Sequence, residues 1–193
     1  MGFTRDELLS YRGGTLPDLL GPDVRLLVVG INPGLWTVAA QSHFGRRGNR
    51  FYPALHRAGI TDHVIDASAG FAPEDVAHLH HRGVGIINLV PVATARADEL
   101  DTAALVAGGQ ALAERVERVR PGVVAILGVS AYRIAFDRRT AGVGREPTDL
   151  GGAQLWVVPN PSGLNAHATV FSLAVAYREV AVAAGIDVYP VPD

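Results

Sequence analysis

Two short, stiff stretches combine the residue types that do chemistry: Gly30-Ile31-Asn32-Pro33-Gly34-Leu35 and Pro159-Asn160-Pro161-Ser162-Gly163-Leu164-Asn165. In the first, two glycines and a proline make a tight turn that holds Asn32 just past an apolar run. A carboxamide there offers one acceptor oxygen and two donor hydrogens. It can orient a water molecule or read a polar edge, but it is a poor general base because it does not ionise in the useful range. Asn-Pro-Gly is also ordinary turn chemistry, in which Asn32 only satisfies its own backbone. In the second stretch, backbone N–H groups near Ser162 and Gly163, helped by the Ser162 hydroxyl, suit a phosphate. Leu164 reads either as an exposed apolar wedge of the kind that replaces an extruded base, or as a staple onto the helix that follows.

A third segment interleaves aromatic and basic residues: Phe44, Arg46, Arg47, Asn49, Arg50, Phe51 and Tyr52. Such a pattern can meet phosphates and stack on a base. Phe51 fits better as the core face of a short helix. Phe44, isolated between His43 and Gly45, is at least as well read as a ligand contact.

Other chemistries are excluded or poorly supported. All 17 basic residues are arginine. Without lysine there is no side-chain Schiff base and no Walker-type phosphate lysine. Without cysteine there is no disulfide, thiolate zinc site, cysteine nucleophile or cysteine-held iron–sulfur cluster. His78, His80 and His81 invite a metal reading, but they lack the i, i+4 spacing of a metalloprotease helix and no partner set is evident; a solvated helix end is the better account, and no metal is expected. No Gly-x-Ser-x-Gly elbow occurs, and no Gly-x-Gly-x-x-Gly follows the first apolar run.

Elements able to position these loops are legible. Four continuous apolar runs, Arg25–Val29, Gly85–Val90, Val123–Leu127 and Leu155–Val158, read as strands covered on both faces. Helical segments are expected at Asn49–Ala58, Pro73–Arg82, Thr102–Val119, Ser130–Phe136 and Thr169–Ala184, with Asp101 as an N-cap and Gly185 as a stop. The alternation predicts a three-layer α/β/α sandwich around a mainly parallel sheet of four to five strands. In such sheets ligands collect beyond the carboxyl ends of the strands, where both stiff loops fall. At 193 residues and 48% hydrophobic composition, one domain over 1–193 is expected, with 1–22 as an N-terminal extension whose packing the sequence leaves open. No apolar run approaches a membrane span, and Arg5, Asp6 and Glu7 precede any apolar stretch, unlike a secretory signal. A cytoplasmic location is expected, nucleoid-associated if the source is bacterial.

Taken together, the loops resemble the mismatch-specific uracil/thymine DNA glycosylase family of the uracil-DNA glycosylase superfamily. Gly30-Ile31-Asn32-Pro33-Gly34-Leu35 resembles its first motif, and Asn160-Pro161-Ser162-Gly163-Leu164-Asn165 its second. Gly48-Asn49-Arg50-Phe51-Tyr52, Gly83-Val84-Gly85 through Asn88-Leu89-Val90, and Ala125-Ile126-Leu127-Gly128 also match in kind and spacing. The similarity runs from about Leu16 to Ala183.

The resemblance implies hydrolysis of the N-glycosidic bond of a flipped base in double-stranded DNA carrying uracil or a mismatch. Asn32 would position the attacking water, with Asn88 near the base. Ile31, by backbone contact, and Phe44, by stacking, would hold the base. Asn160, Ser162 and Gly163, with Arg46 and Arg47, would meet the DNA backbone, and Leu164 would be the wedge. Two departures stand out. Ala166 occupies a position where some relatives carry arginine, which implies a weaker reading of an opposing guanine. The segment Leu89-Val90-Pro91-Val92-Ala93-Thr94 lacks the charges some relatives place there. No cofactor is implied, and a monomer is the default expectation. A formal charge of −2 requires arginine to be concentrated at the mouth. Two other readings remain at this stage: a module that binds damaged DNA without cutting it, and a hydrolase of free nucleosides.

Overall fold

The computed structural model describes residues 2–163, 165–166 and 168–190. Its centre is a five-stranded sheet of β1 (Leu26–Gly30), β2 (Val84–Asn88), β3 (Val123–Leu127), β4 (Gly144–Arg145) and β5 (Gln154–Val158), in the order β2-β1-β3-β5-β4. β2, β1, β3 and β5 pair in parallel; β4 adds an antiparallel edge. The four long strands lie close to the four apolar runs, and β4, at two residues, leaves no periodic signal to read.

Alternating side chains of each strand feed two cores, which is why the runs are apolar throughout. Leu26 and Val28 pack with Phe51 and Leu55 of α3 (Phe51–Arg57), Leu79 of α4 (Pro73–His81) and Leu173 and Tyr177 of α7 (Val170–Ala183). Leu27 and Val29 pack with Leu112 and Val116 of α5 (Thr102–Val119) and Tyr132 of α6 (Val129–Ala135). Three layers result, as the alternation of elements predicts. Asp101 caps α5 by accepting from the Ala104 N–H, and Thr169 caps α7 through a reciprocal box with Ser172.

Two helices were not expected. In α1 (Arg5–Ser10), Thr4 and Glu7 form a capping box, a signal present in the sequence. In α2 (Leu35–Ala40), helix begins directly after the Asn-Pro-Gly turn, with Gly34 at its N-cap. These helices share a small cluster with Leu8, Tyr11, Leu35, Val38 and Ala93. The segment between α1 and β1 is tied to the sheet. Leu19 exchanges backbone hydrogen bonds with Ile86 of β2, and Gly13 and Gly14 exchange them with Ala93. Arg115 of α5 donates to both carboxylate oxygens of Asp18 at 2.7 Å and to the Asn88 carbonyl at 2.7 Å. Among the described residues, no helix is long and apolar enough to cross a membrane.

Parallel registry fixes where the loops emerge. Gly30 is level with Asn88, and Leu127 with Val158. The loops after β1, β2, β3 and β5 therefore leave the sheet at one edge, and that edge carries the pocket.

Candidate active site

A cavity of about 150 Å³ opens at the carboxyl edge. Space of this order holds a single six-membered ring. Its walls include Ile31 and Asn32 from the loop after β1, Phe44 and Arg46, Asn88 at the end of β2, and Asn160 and Ser162 from the loop after β5. Seven of the residues singled out from the sequence thus converge from segments far apart in the chain. Arg47 is exposed beside neighbouring grooves, and Gly163 is exposed at its loop tip. Leu164 lies outside the described residues.

Asn32 does not serve its own turn. Its Nδ2 donates to the Val92 carbonyl at 3.0 Å and to the Thr94 hydroxyl at 2.8 Å. Thr94 spends its own proton on the Arg96 carbonyl at 2.7 Å, so its oxygen can only accept from Asn32. Both partners demand the amino end of the amide, which fixes its orientation. The Oδ1 end accepts no hydrogen bond from the described residues, and Asn32 lines the cavity. A carboxamide held this way offers a rigid acceptor to a water molecule. Val92 and Thr94 were not singled out from the sequence. The segment following Asn88 stands out there only for its lack of charge, yet its polarity comes from a carbonyl and a hydroxyl.

Phe44 occupies the left-handed region, with φ of 55°, which is costly for a bulky residue and concentrates at functional sites. Its neighbours hold it there. The Tyr52 hydroxyl donates to the His43 carbonyl at 2.8 Å, and the Ser42 hydroxyl donates to the Ala67 carbonyl at 2.6 Å. Burial pushes the Tyr52 phenol well above its ordinary range, keeping it a donor. The Phe44 ring lies 4.1 Å from that of Phe51, tilted by 31°. Phe51 is core, as its helical spacing predicts, and it braces the ring that lines the cavity.

Asn88 is buried at the cavity floor. Its Nδ2 lies 3.5 Å from Nδ1 of His43, whose Nε2 is 3.0 Å from the Pro17 carbonyl. Burial lowers the His43 pKa, while the Pro17 carbonyl and Asp18 pull it back up. The neutral imidazole is thus favoured. Gly30 makes this crowding possible: a Cβ there would stand 2.8 Å from Asn88 Oδ1 and 3.3 Å from the Phe44 ring.

The third segment and the loop after β5 are bound together. Arg50 donates to the carbonyls of Ser162 and Asn165, both at 3.0 Å, and its own N–H donates to the Pro161 carbonyl. Arg50 is thereby a brace for the loop, not a member of an exposed basic cluster as the arginine pattern had indicated. The Ser162 N–H donates to Asn160 Oδ1 at 2.9 Å, and Asn165 Nδ2 donates to the Asn160 carbonyl at 3.1 Å. The Ser162 amide expected to face a phosphate is therefore committed within its own loop. Asn160 is its acceptor and shapes the turn. Arg46 and Arg47 remain exposed at the mouth.

The comparisons agree with this architecture. A solution NMR structure of a candidate uracil DNA glycosylase from Methanosarcina acetivorans superimposes with a TM-score of 0.56 at 17% sequence identity, covering 88% of this chain and 98% of that one. At that identity the likeness speaks for the fold. The family model described as the uracil DNA glycosylase superfamily matches residues 17–181, which span all four parallel strands, the Asn32 turn and the Asn160–Asn165 loop. The chain belongs to the uracil DNA glycosylase superfamily.

Proposed function

We propose that this protein is a monofunctional DNA glycosylase that hydrolyses the N-glycosidic bond of a uracil swung out of duplex DNA, leaving an abasic site. Uracil opposite guanine is the leading substrate, and thymine or a modified cytosine opposite guanine a lesser one, in keeping with the mismatch-specific branch of the superfamily. The observation that carries the proposal is the convergence of Ile31, Asn32, Phe44, Asn88, Asn160 and Ser162 on one ring-sized cavity.

The chemistry follows from the groups in place. Cleavage develops positive charge on the sugar and negative charge on the departing base. Asn32, anchored through Nδ2, presents Oδ1 to a water and aims it at the anomeric carbon. An amide orients water without taking its proton, so the catalyst is a slow one. The base stacks on Phe44, braced by Phe51, and its polar edge meets Asn88 and the Ile31 backbone. Backbone N–H groups near Ile31 and Phe44 stabilise its developing anion, while Asn88 Oδ1 accepts from a ring N–H. Arg46 and Arg47 supply local positive charge to an otherwise acidic molecule. Gly163 and the Ser162 hydroxyl approach the strand, with Leu164 as the wedge. With no lysine in the chain, no side-chain imine forms and the strand stays intact after base release.

The deciding experiment is single-turnover base release from a G·U duplex by wild type and Asn32→Ala, with strand scission read before and after alkali. The expected result is release by wild type, at least a hundredfold loss in the variant, and nicking only after alkali. Release unaffected by Asn32→Ala removes the amide from the mechanism. Absence of release from any lesion leaves a DNA-binding module, and release from free deoxyuridine leaves a nucleoside hydrolase.

A further inference from the structure

Away from the cavity, the loop after α3 and the helix α4 bring together Asp62, His63, Asp75 and His78. One ligand atom from each of Asp62, His63 and His78 lies within 4.8 Å of the others. His78 was expected at a solvated helix end. Instead its side chain is 15% exposed, and its Nε2 is buried without a hydrogen-bond partner among the described residues, 3.4 Å from Asp62 Oδ1. A buried ring nitrogen facing a carboxylate oxygen without bonding to it is costly unless something sits between them.

His63 completes the arrangement. Its Nδ1 is 2.6 Å from Asp62 Oδ1, and its Nε2 is 2.7 Å from Asp75 Oδ1. Asp75 is buried, and it stands one turn from His78 on the same face of α4. This is the geometry of a carboxylate that accepts the outer N–H of a metal-ligating imidazole and fixes its tautomer.

We propose that Asp62, His63 and His78 form a binding site for a divalent transition cation of the zinc type, with Asp75 as the carboxylate orienting His63. Two imidazoles and a carboxylate suit zinc, and the half-exposed Asp62 and His63 leave a fourth position for water. Tetrahedral bonds of about 2.0–2.1 Å place ligand atoms roughly 3.3 Å apart. The His78–Asp62 separation of 3.4 Å already meets this. The shorter His63–Asp62 contact must open by several tenths of an ångström as the cation displaces the bridging proton. The helix alone does not reveal the site, because of His78, His80 and His81 only His78 belongs to it.

Such a cation would clamp the loop of residues 61–66 to α4. The loop leads into Ala67, whose carbonyl accepts from Ser42 behind the Phe44 segment. The clamp is structural, and it is independent of the glycosylase reading.

The test is titration of zinc chloride into chelator-treated protein by calorimetry, with cobalt absorption as the coordination probe and thermal melting as the stability probe. One equivalent should bind with micromolar or tighter affinity, cobalt should give tetrahedral d–d bands, and zinc should raise the melting temperature. His78→Ala and Asp62→Asn should each weaken binding at least tenfold, and Asp75→Asn by about 10- to 100-fold. His81→Ala, on the exposed end of α4, should leave binding unchanged. Asp62 is on an exposed loop, so its variant keeps the test sharp if His78→Ala does not fold. The proposal is overturned if no saturable site appears, or if binding persists unchanged in Asp62→Asn, which would mark adventitious capture by other histidines.

Discussion

Asn88 faces His43 across 3.5 Å, amide nitrogen to ring nitrogen, and the buried imidazole in turn reaches the Pro17 carbonyl at 3.0 Å. A carbonyl only accepts, which assigns the proton to Nε2 of His43 and a lone pair to Nδ1. Nδ1 then favours the amino end of Asn88 and leaves Oδ1 beside Gly30, at the cavity. The N-terminal segment thus sets, through one ring, which end of an amide faces the cavity.

That ring makes stability depend on pH. Burial holds His43 below its ordinary value of 6.5 in the folded state. The unfolded chain therefore takes up the proton first as pH falls, and protonation favours unfolding. The contribution is fully present above about pH 6.5, declines through the window down to the depressed folded value, and does not change below it. Urea melts between pH 8 and pH 5 should show this loss in wild type, with a smaller slope in His43→Gln. Parallel slopes would place the titration elsewhere.

Thr94 is a positioning residue for Asn32, since its oxygen accepts from the amide and its proton goes elsewhere. Thr94→Val should slow single-turnover base release roughly tenfold with KM nearly unchanged, as expected when geometry at the reacting centre loosens. Thr94→Ser keeps the acceptor and should keep the rate. Equal losses in both variants would indicate a general effect on the loop.

Gly30→Ala places a methyl 2.8 Å from Asn88 Oδ1 and 3.3 Å from Phe44. Neither neighbour can retreat easily, because Asn88 is buried and Phe44 is backed by Phe51. The expected result is a loss of about 1–3 kcal/mol in stability and a larger loss of activity. Thermal melts and base release measure the two. Unchanged activity would show that the floor is not used.

Arg46 and Arg47 at the mouth should separate from the bracing Arg50 in salt titrations. Each phosphate contact contributes a slope of roughly −0.9 in log K against log salt. Arg46→Ala and Arg47→Ala should each make the slope shallower by about one unit at most. Arg50→Ala should lower activity while leaving the slope near the wild-type value, because its guanidinium is spent on the Ser162 and Asn165 carbonyls. Identical behaviour of all three would overturn this division.

The layers, and the loops that line the candidate site, were legible in the chain alone. Runs such as Val123–Leu127 are apolar at every position because each strand is covered twice, and that pattern is local and visible. Stiff turns at Asn32 and Asn160 follow from glycine and proline, which constrain the backbone wherever they occur. The capping box of α1 was equally readable. Which end of each polar group faces which partner emerges only on folding. Asn32 is oriented by Val92 and Thr94, Asn88 by His43, Arg50 by Ser162 and Asn165, and His78 faces Asp62. Most of these partners are carbonyls or side chains distant in the chain. Every residue carries a carbonyl, so its identity holds no information about that role; folding alone brings it within 3 Å of a donor.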